Sequence, residues 1–159
     1  MSINTKLLSE ICTVPGAPGF EKKIRDLVLS ELKGLVDEVQ TDNMGNVYAI
    51  KKGALPDDQR KKVMVGAHMD EIGFMVTHVD DKGFIRFHTL GGFDPKTLTA
   101  QRVIIHGKKD VIGVMASKPI HVMSPAERDK PAKISDFFID TGLDAKEVKK
   151  LVNVGDPIT

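Results

Sequence analysis

With 159 residues, 41% of them hydrophobic, the chain holds enough apolar side chain for one ordinary domain or two small ones, which excludes wholesale disorder. Lysine plus arginine number 23 against 22 aspartates and glutamates, and the resulting charge of +1 gives no electrostatic footprint for nucleic acid or an anionic membrane. A single cysteine excludes an intrachain disulfide and fits a reducing compartment, while the lack of tryptophan and the lone Tyr48 argue against aromatic platforms for sugars or bases.

The start, Met1-Ser2-Ile3-Asn4-Thr5-Lys6, lacks the apolar core of a signal peptide, and no later run is long enough to cross a bilayer, so the cytoplasm is the expected location. Asn4 is placed to cap a short helix with Leu7, Leu8 and Ile11 on one face; Cys12 lies on or beside that face and reads as core packing. Val14-Pro15-Gly16-Ala17-Pro18-Gly19 breaks the helix. A second helix starts near Phe20 or Glu21, where Phe20, Ile24, Leu27, Val28, Leu32 and Leu35 recur at helical spacing, and Gly34 ends or weakens it. Residues 36–41 and 46–51 read as paired strands, because Asp42-Asn43-Met44-Gly45 supplies the backbone angles of a tight turn. A polar loop, 52–62, leads to the apolar run Val63-Met64-Val65, read as a buried strand that ends in His68.

Beyond Gly73 no amphipathic helix is visible before residue 117. Strands are expected near 74–79, 84–90, 101–107 and 110–116, with turns at Asp80-Asp81-Lys82-Gly83 and Gly107-Lys108-Lys109-Asp110. Short strands with closely spaced turns suggest a small β-barrel or sandwich. Residues 118–133, with three prolines, read as a long surface loop; 137–139 as a strand; and 145–151 as a helix capped by Asp144. Residues 154–159 read as a turn and the beginning of another strand.

The stretch with chemistry is Gly66-Ala67-His68-Met69-Asp70-Glu71. Side chains alternate along a strand, so His68 and Asp70 can share a side. An imidazole there can bind a metal through one nitrogen while a carboxylate takes the N–H of the other and fixes the ring. H-x-D is short and common, however, and taken alone it fits better a strand end where His68 caps backbone groups and Asp70 begins a turn. Glu71 faces the opposite way in an extended chain. His78, His88 and His106 lack metal spacing and read as polar strand-face residues, and Gly91-Gly92-Phe93-Asp94 reads as a β-turn, since it lacks the features of a phosphate loop.

Several of these stretches together resemble a known family. Pro15-Gly16-Ala17-Pro18-Gly19-Phe20-Glu21, Asp42-Asn43-Met44-Gly45-Asn46-Val47, Gly66 to Phe74, Gly91-Gly92-Phe93-Asp94, Lys118-Pro119-Ile120-His121 and Val154-Gly155-Asp156-Pro157 are similar, in the same order, to the co-catalytic metallo-aminopeptidases. That family includes glutamyl and deblocking aminopeptidases and members named endoglucanase or cellulase M. The resemblance implies an α/β fold: the first part of a metallopeptidase domain in residues 1–70, an inserted β-barrel-like oligomerisation domain in 71–154, and the start of a return to the catalytic domain in 155–159. It also implies that His68 is a metal ligand and Asp70 its supporting catalytic carboxylate. Two divalent ions, zinc or cobalt, would serve a complete site, whose remaining ligands and general base lie downstream of this chain. The implied activity is removal of N-terminal residues from short peptides by a two-metal activated water. The implied partners are the missing C-terminal half and further copies in a large homo-oligomer, where His121 could reach a neighbour's active site. Two other functions stay in view. One is a non-enzymatic oligomerisation module. The other is an endoglucanase, which needs two facing carboxylic acids and usually aromatic faces that this composition hardly supplies.

Overall fold

The computed structural model describes residues 3–159. It comprises two compact units, a first ending at Glu71 and a second spanning Ile72–Thr159.

The first unit holds two helices and a hairpin. Helix α1 (Thr5–Thr13) is capped by Asn4, whose side chain accepts from the Leu7 N–H at 3.1 Å. Its apolar face is not buried: Leu8, Ile11 and Cys12 are all exposed, so the core role expected for Cys12 is corrected. Helix α2 (Lys22–Glu31) buries Ile24, and Gly34 follows it at a positive φ of 75°, which glycine adopts without steric cost. Strands β1 (Glu38–Thr41) and β2 (Val47–Ile50) pair antiparallel, with Thr41 opposite Val47. The turn between them is built on Asp42, whose carboxylate accepts from the Met44 and Asn46 N–H groups, the Asn46 amide and, at 3.1 Å, the Tyr48 hydroxyl.

The Asn46 amide, aided by the other donors, holds the Asp42 carboxyl below its ordinary value of 3.8. A carboxyl whose folded pKa is depressed stabilises the fold above its unfolded pKa and loses that contribution as pH falls through the folded one. The amide signals of Met44 and Asn46 are therefore expected to titrate together in NMR with a midpoint below 3.8. A midpoint at or above that value would contradict the carboxylate-centred turn.

The expected strand at 63–68 does not form. Residues 51–72 carry no regular secondary structure, and Val63, Met64 and Val65 are 85%, 93% and 91% exposed. An apolar run makes a strand only where neighbouring backbone completes its hydrogen bonds, and none among the described residues pairs with it.

The second unit is a closed six-stranded barrel of β3 (Gly73–Val79), β4 (Ile85–Leu90), β5 (Arg102–His106), β6 (Asp110–Ser117), β7 (Phe137–Asp140) and β8 (Pro157–Ile158), in the spatial order β3-β4-β7-β6-β5-β8. Alternation, interrupted in β3 by a bulge between Val76 and His78, fills its interior with Val76, Ile85, Ile105, Met115, Ile139 and Ile158, all essentially inaccessible. Gly113 faces that interior because a Cβ there would lie 2.4 Å from Ile139 Cγ2. Helix α4 (Ala145–Leu151), capped by Asp144, adds Val148 to the same core, and Val152 just after it adds another side chain. The surface loop expected at 118–133 carries the short helix α3 (Pro125–Arg128) and a 3-10 turn at Ile120–Val122, and His121 there is exposed.

The expectation that 155–159 leaves this unit is corrected. Strand β8 closes the barrel between β3 and β5: Ile158 is opposite both Phe74 and Ile105, and the Ile104 and Thr159 backbones exchange hydrogen bonds of 2.7 and 3.0 Å. Leaving β3 and β5 unpaired would expose two ladder edges and Ile158 together. His106 is also more than a strand-face residue: its ring bridges Asp110 Oδ1 and Thr159 Oγ1, at 2.9 Å each. No helix among the described residues is long and apolar enough to cross a membrane.

Candidate functional site

Two local devices shape the surroundings of His68. The first is the loop 15–19. The Gly16 N–H donates to Glu71 Oε1 at 3.3 Å, and the Glu71 N–H donates to the Gly16 carbonyl at 2.9 Å. Glu71 thus ties the residues after His68 to the loop before α2. Gly16 permits this approach because a Cβ there would meet Ile24 Cγ2 at 2.9 Å and the Met69 carbonyl at 3.4 Å. Its neighbour Ala17 is buried, and Glu21 turns back to accept from the Gly19 N–H at 2.6 Å. The second device is the β1–β2 turn. Gly45, at φ 88°, lets the Arg25 guanidinium come where a side chain would stand.

Between these devices lies a cleft of about 190 Å³ lined by Glu21, Asn46, Val47, Ala67, His68 and Asp70. A second, more apolar hollow of about 340 Å³ adjoins it, with Ile11, Val14, Ile24 and Val28 opposite His68 and Met69. The sequence offered no spacing rule that would place Glu21 or Asn46 here: the stretch through Gly19 read as a helix breaker and Gly45 as part of the hairpin turn only.

The structure brings His68 and Asp70 together although the strand expected to do so is absent. His68 Nδ1 lies 2.9 Å from the Asp70 carboxylate and 2.9 Å from the Asp70 backbone carbonyl. A carbonyl oxygen can only accept, so Nδ1 carries the proton in the neutral ring and Nε2 carries the lone pair. The side chain is 84% exposed, so Nε2 is open to an incoming ligand. His68 and Asp70 therefore suit one arm of a metal site, a ligand and its orienting carboxylate. They do not complete one: among the described residues no group of three or more histidines, cysteines, aspartates or glutamates could hold an ion.

Architecture and motif together define an α/β piece followed by a β-barrel, with an oriented imidazole presented at the end of the first unit. Residues 45–159 match the M42 glutamyl aminopeptidase family, and the chain belongs to it. The lysyl aminopeptidase of Pyrococcus furiosus is 40% identical over 149 residues, which cover 91% of this chain and 41% of that protein. The crystal structure of a TET aminopeptidase from Thaumarchaeota archaeon SCGC AB-539-E09 superposes with a TM-score of 0.90 at 35% identity, over 98% of this chain and 44% of that one. The TET1 peptidase of Pyrococcus horikoshii, described as assembling into a tetrahedron or a large octahedral shell, superposes with a TM-score of 0.80 at 28% identity, over 98% and 46%. The chain thus spans less than half the length of these relatives.

Proposed function

We propose that this chain is the N-terminal portion of a metal-dependent aminopeptidase that removes N-terminal residues from short peptides, with His68 as one metal ligand and Asp70 as the carboxylate that orients it. The observation that carries the reading is the His68 ring, pinned at Nδ1 by Asp70 and open at Nε2. When bound, a pair of divalent ions, zinc or cobalt, would lower the pKa of water and polarise a peptide carbonyl. Asp70 keeps the ring in one tautomer and one plane, so the ligand nitrogen needs no reorganisation to bind. The loop clasped by Glu71 and the Asp42-centred turn hold the cleft walls on either side. The missing ligands and the general base belong to the length of the relatives that this chain does not span. The protein is a homo-oligomer in this reading, supported by the shells described for the Pyrococcus horikoshii relative.

A zinc site needs about three or four protein ligands, and one imidazole cannot close it. The purified 159-residue chain is therefore expected to release no chromophore from aminoacyl anilides at any concentration of zinc or cobalt. Metal-dependent release by the pure chain would overturn the proposal that its site is completed elsewhere.

A further inference from the structure

The peptide group between Asp70 and Glu71 is held from both sides. Its carbonyl oxygen, that of Asp70, faces His68 Nδ1 at 2.9 Å. Its N–H, that of Glu71, donates to the Gly16 carbonyl at 2.9 Å. The peptide is trans and planar, so its C=O and N–H point in opposite directions and turn together. The direction of the oxygen that meets the imidazole is therefore set by the bond on the far side of the plane.

The Glu71 side chain doubles that bond. Its Oε1 accepts from the Gly16 N–H at 3.3 Å, so two hydrogen bonds join residues 55 positions apart. No strand ladder shares the task, since residues 51–72 carry no regular secondary structure. Among the described residues, these two hydrogen bonds are the ones that join 61–72 to the rest of the first unit. The far end of the clasp is firm, because Gly16 packs against the buried Ile24 of α2 and its neighbour Ala17 is buried as well. Asp70 and His68 are only two residues apart, so their contact fixes the ring relative to its own stretch of chain and does not fix where that stretch stands. A working site holds its ligands to within about 0.5 Å, which requires packed supports beyond the ligand's immediate partner. We propose that Glu71 is a positioning residue for the His68 ligand: its clasp on Gly16 fixes the Asp70–Glu71 peptide plane, and that plane aims the imidazole.

The inference rests on the reading of His68 as a metal ligand, and the tests keep the two apart. In the 159-residue chain, Glu71→Ala removes the carboxylate and leaves the backbone bond, while the amide oxygen of Glu71→Gln can still accept from Gly16. Glu71→Ala is expected to speed hydrogen exchange of the amide at position 71 by about three- to tenfold, the range that one modest hydrogen bond supports. Long-range proton–nitrogen correlation spectra should then show a minor Nε2–H form of His68, smaller than in Asp70→Ala because the Asp70 carboxylate remains. The His106 signals and the circular dichroism spectrum should not change, and Glu71→Gln should return both the exchange rate and the His68 ring toward wild type. A His68 ring that stays wholly Nδ1–H in Glu71→Ala overturns the positioning role. So does a Glu71→Gln chain that behaves like Glu71→Ala, and so does a loss of circular dichroism, which would make the carboxylate a support of the fold alone. In the longer protein of the proposed reading, Glu71→Ala should weaken zinc binding by about three- to tenfold, with recovery in Glu71→Gln. Unchanged zinc affinity there overturns the positioning role, whereas zinc binding undiminished by His68→Ala overturns the ligand reading itself, whatever the ring signals show.

Discussion

Gly107→Ala is expected to lower the melting temperature of the barrel by about 10 °C or more. Gly107 follows β5, at a point where the backbone passes the end of α4. A Cβ there would lie 2.3 Å from the Leu151 carbonyl oxygen and 2.9 Å from Asp156 Oδ2. Neither atom can retreat freely. The Leu151 carbonyl already accepts from the Lys108 N–H at 2.8 Å, and Asp156 Oδ2 accepts from the Asn153 N–H at 2.8 Å. Relief requires α4 to move away from the β5–β6 turn, and α4 carries Val148 and is followed directly by Val152, both buried in the barrel core. The turn that precedes β8 moves with it, and β8 is what closes the sheet. Overpacking of this kind costs about 1–3 kcal/mol, and the strained Lys108 hydrogen bond adds about 1 kcal/mol. At roughly 4–8 °C per kcal/mol for a unit of this size, the melt shifts well outside error. Gly92→Ala is the control, since nothing lies within 4 Å of the Cβ it adds, and its melt should stay within about 0.5 kcal/mol of wild type. A Gly107→Ala melt matching that of Gly92→Ala would mean that α4 does not seal the barrel at this turn.

The barrel was the more legible half of the sequence because its strands satisfy one another locally. The alternation in Val103-Ile104-Ile105 and Val111-Ile112-Gly113-Val114-Met115 matches the observed burial residue by residue, and the turns at Asp80 and Lys108 are where short-range backbone preferences place them. The six-stranded closure was not readable, since it depends on β8, two residues long, pairing with strands far earlier in the chain. In the first unit the Asp42 turn was legible because its side chain bonds its own neighbours. Val63-Met64-Val65 misled for the opposite reason. Its composition states that the run suits burial, but burial needs a second surface that local sequence does not encode. The pairing of His68 with Asp70 survived that error because it spans only two residues and closes through the Asp70 backbone as well as its carboxylate. Glu21, Asn46 and the Glu71–Gly16 clasp went unassigned because they arrive from separate loops, and one sequence holds no rule for such an approach.

On the reading proposed above, removing the Asp70 carboxylate is expected to lower metal affinity and aminopeptidase turnover together, by about 10–100-fold, in the longer protein that would carry these residues. The size follows from what Asp70 does to the ring. In wild type, Nδ1 faces two oxygens at 2.9 Å, so the proton is held there and Nε2 keeps its lone pair facing solvent. In Asp70→Ala the backbone carbonyl is the only partner left, the ring rotates more freely, and the Nε2–H tautomer that free imidazole favours becomes populated. A ligand must then be reoriented before an ion can bind. His68→Ala should cost more, because it removes the donor atom and excess metal has nothing to restore. Added zinc or cobalt should therefore recover much of the Asp70→Ala activity and little of the His68→Ala activity. The tautomer supplies a readout free of activity, and it can be taken on the 159-residue chain. Long-range proton–nitrogen correlation spectra should show His68 as the Nδ1–H form in wild type and as a mixture in Asp70→Ala, with His106, which has its own partners in Asp110 and Thr159, as the unchanged internal reference. If His68 is already an Nε2–H ring in wild type, the lone pair points at Asp70 instead of outward, and the case for His68 as a ligand through Nε2 fails.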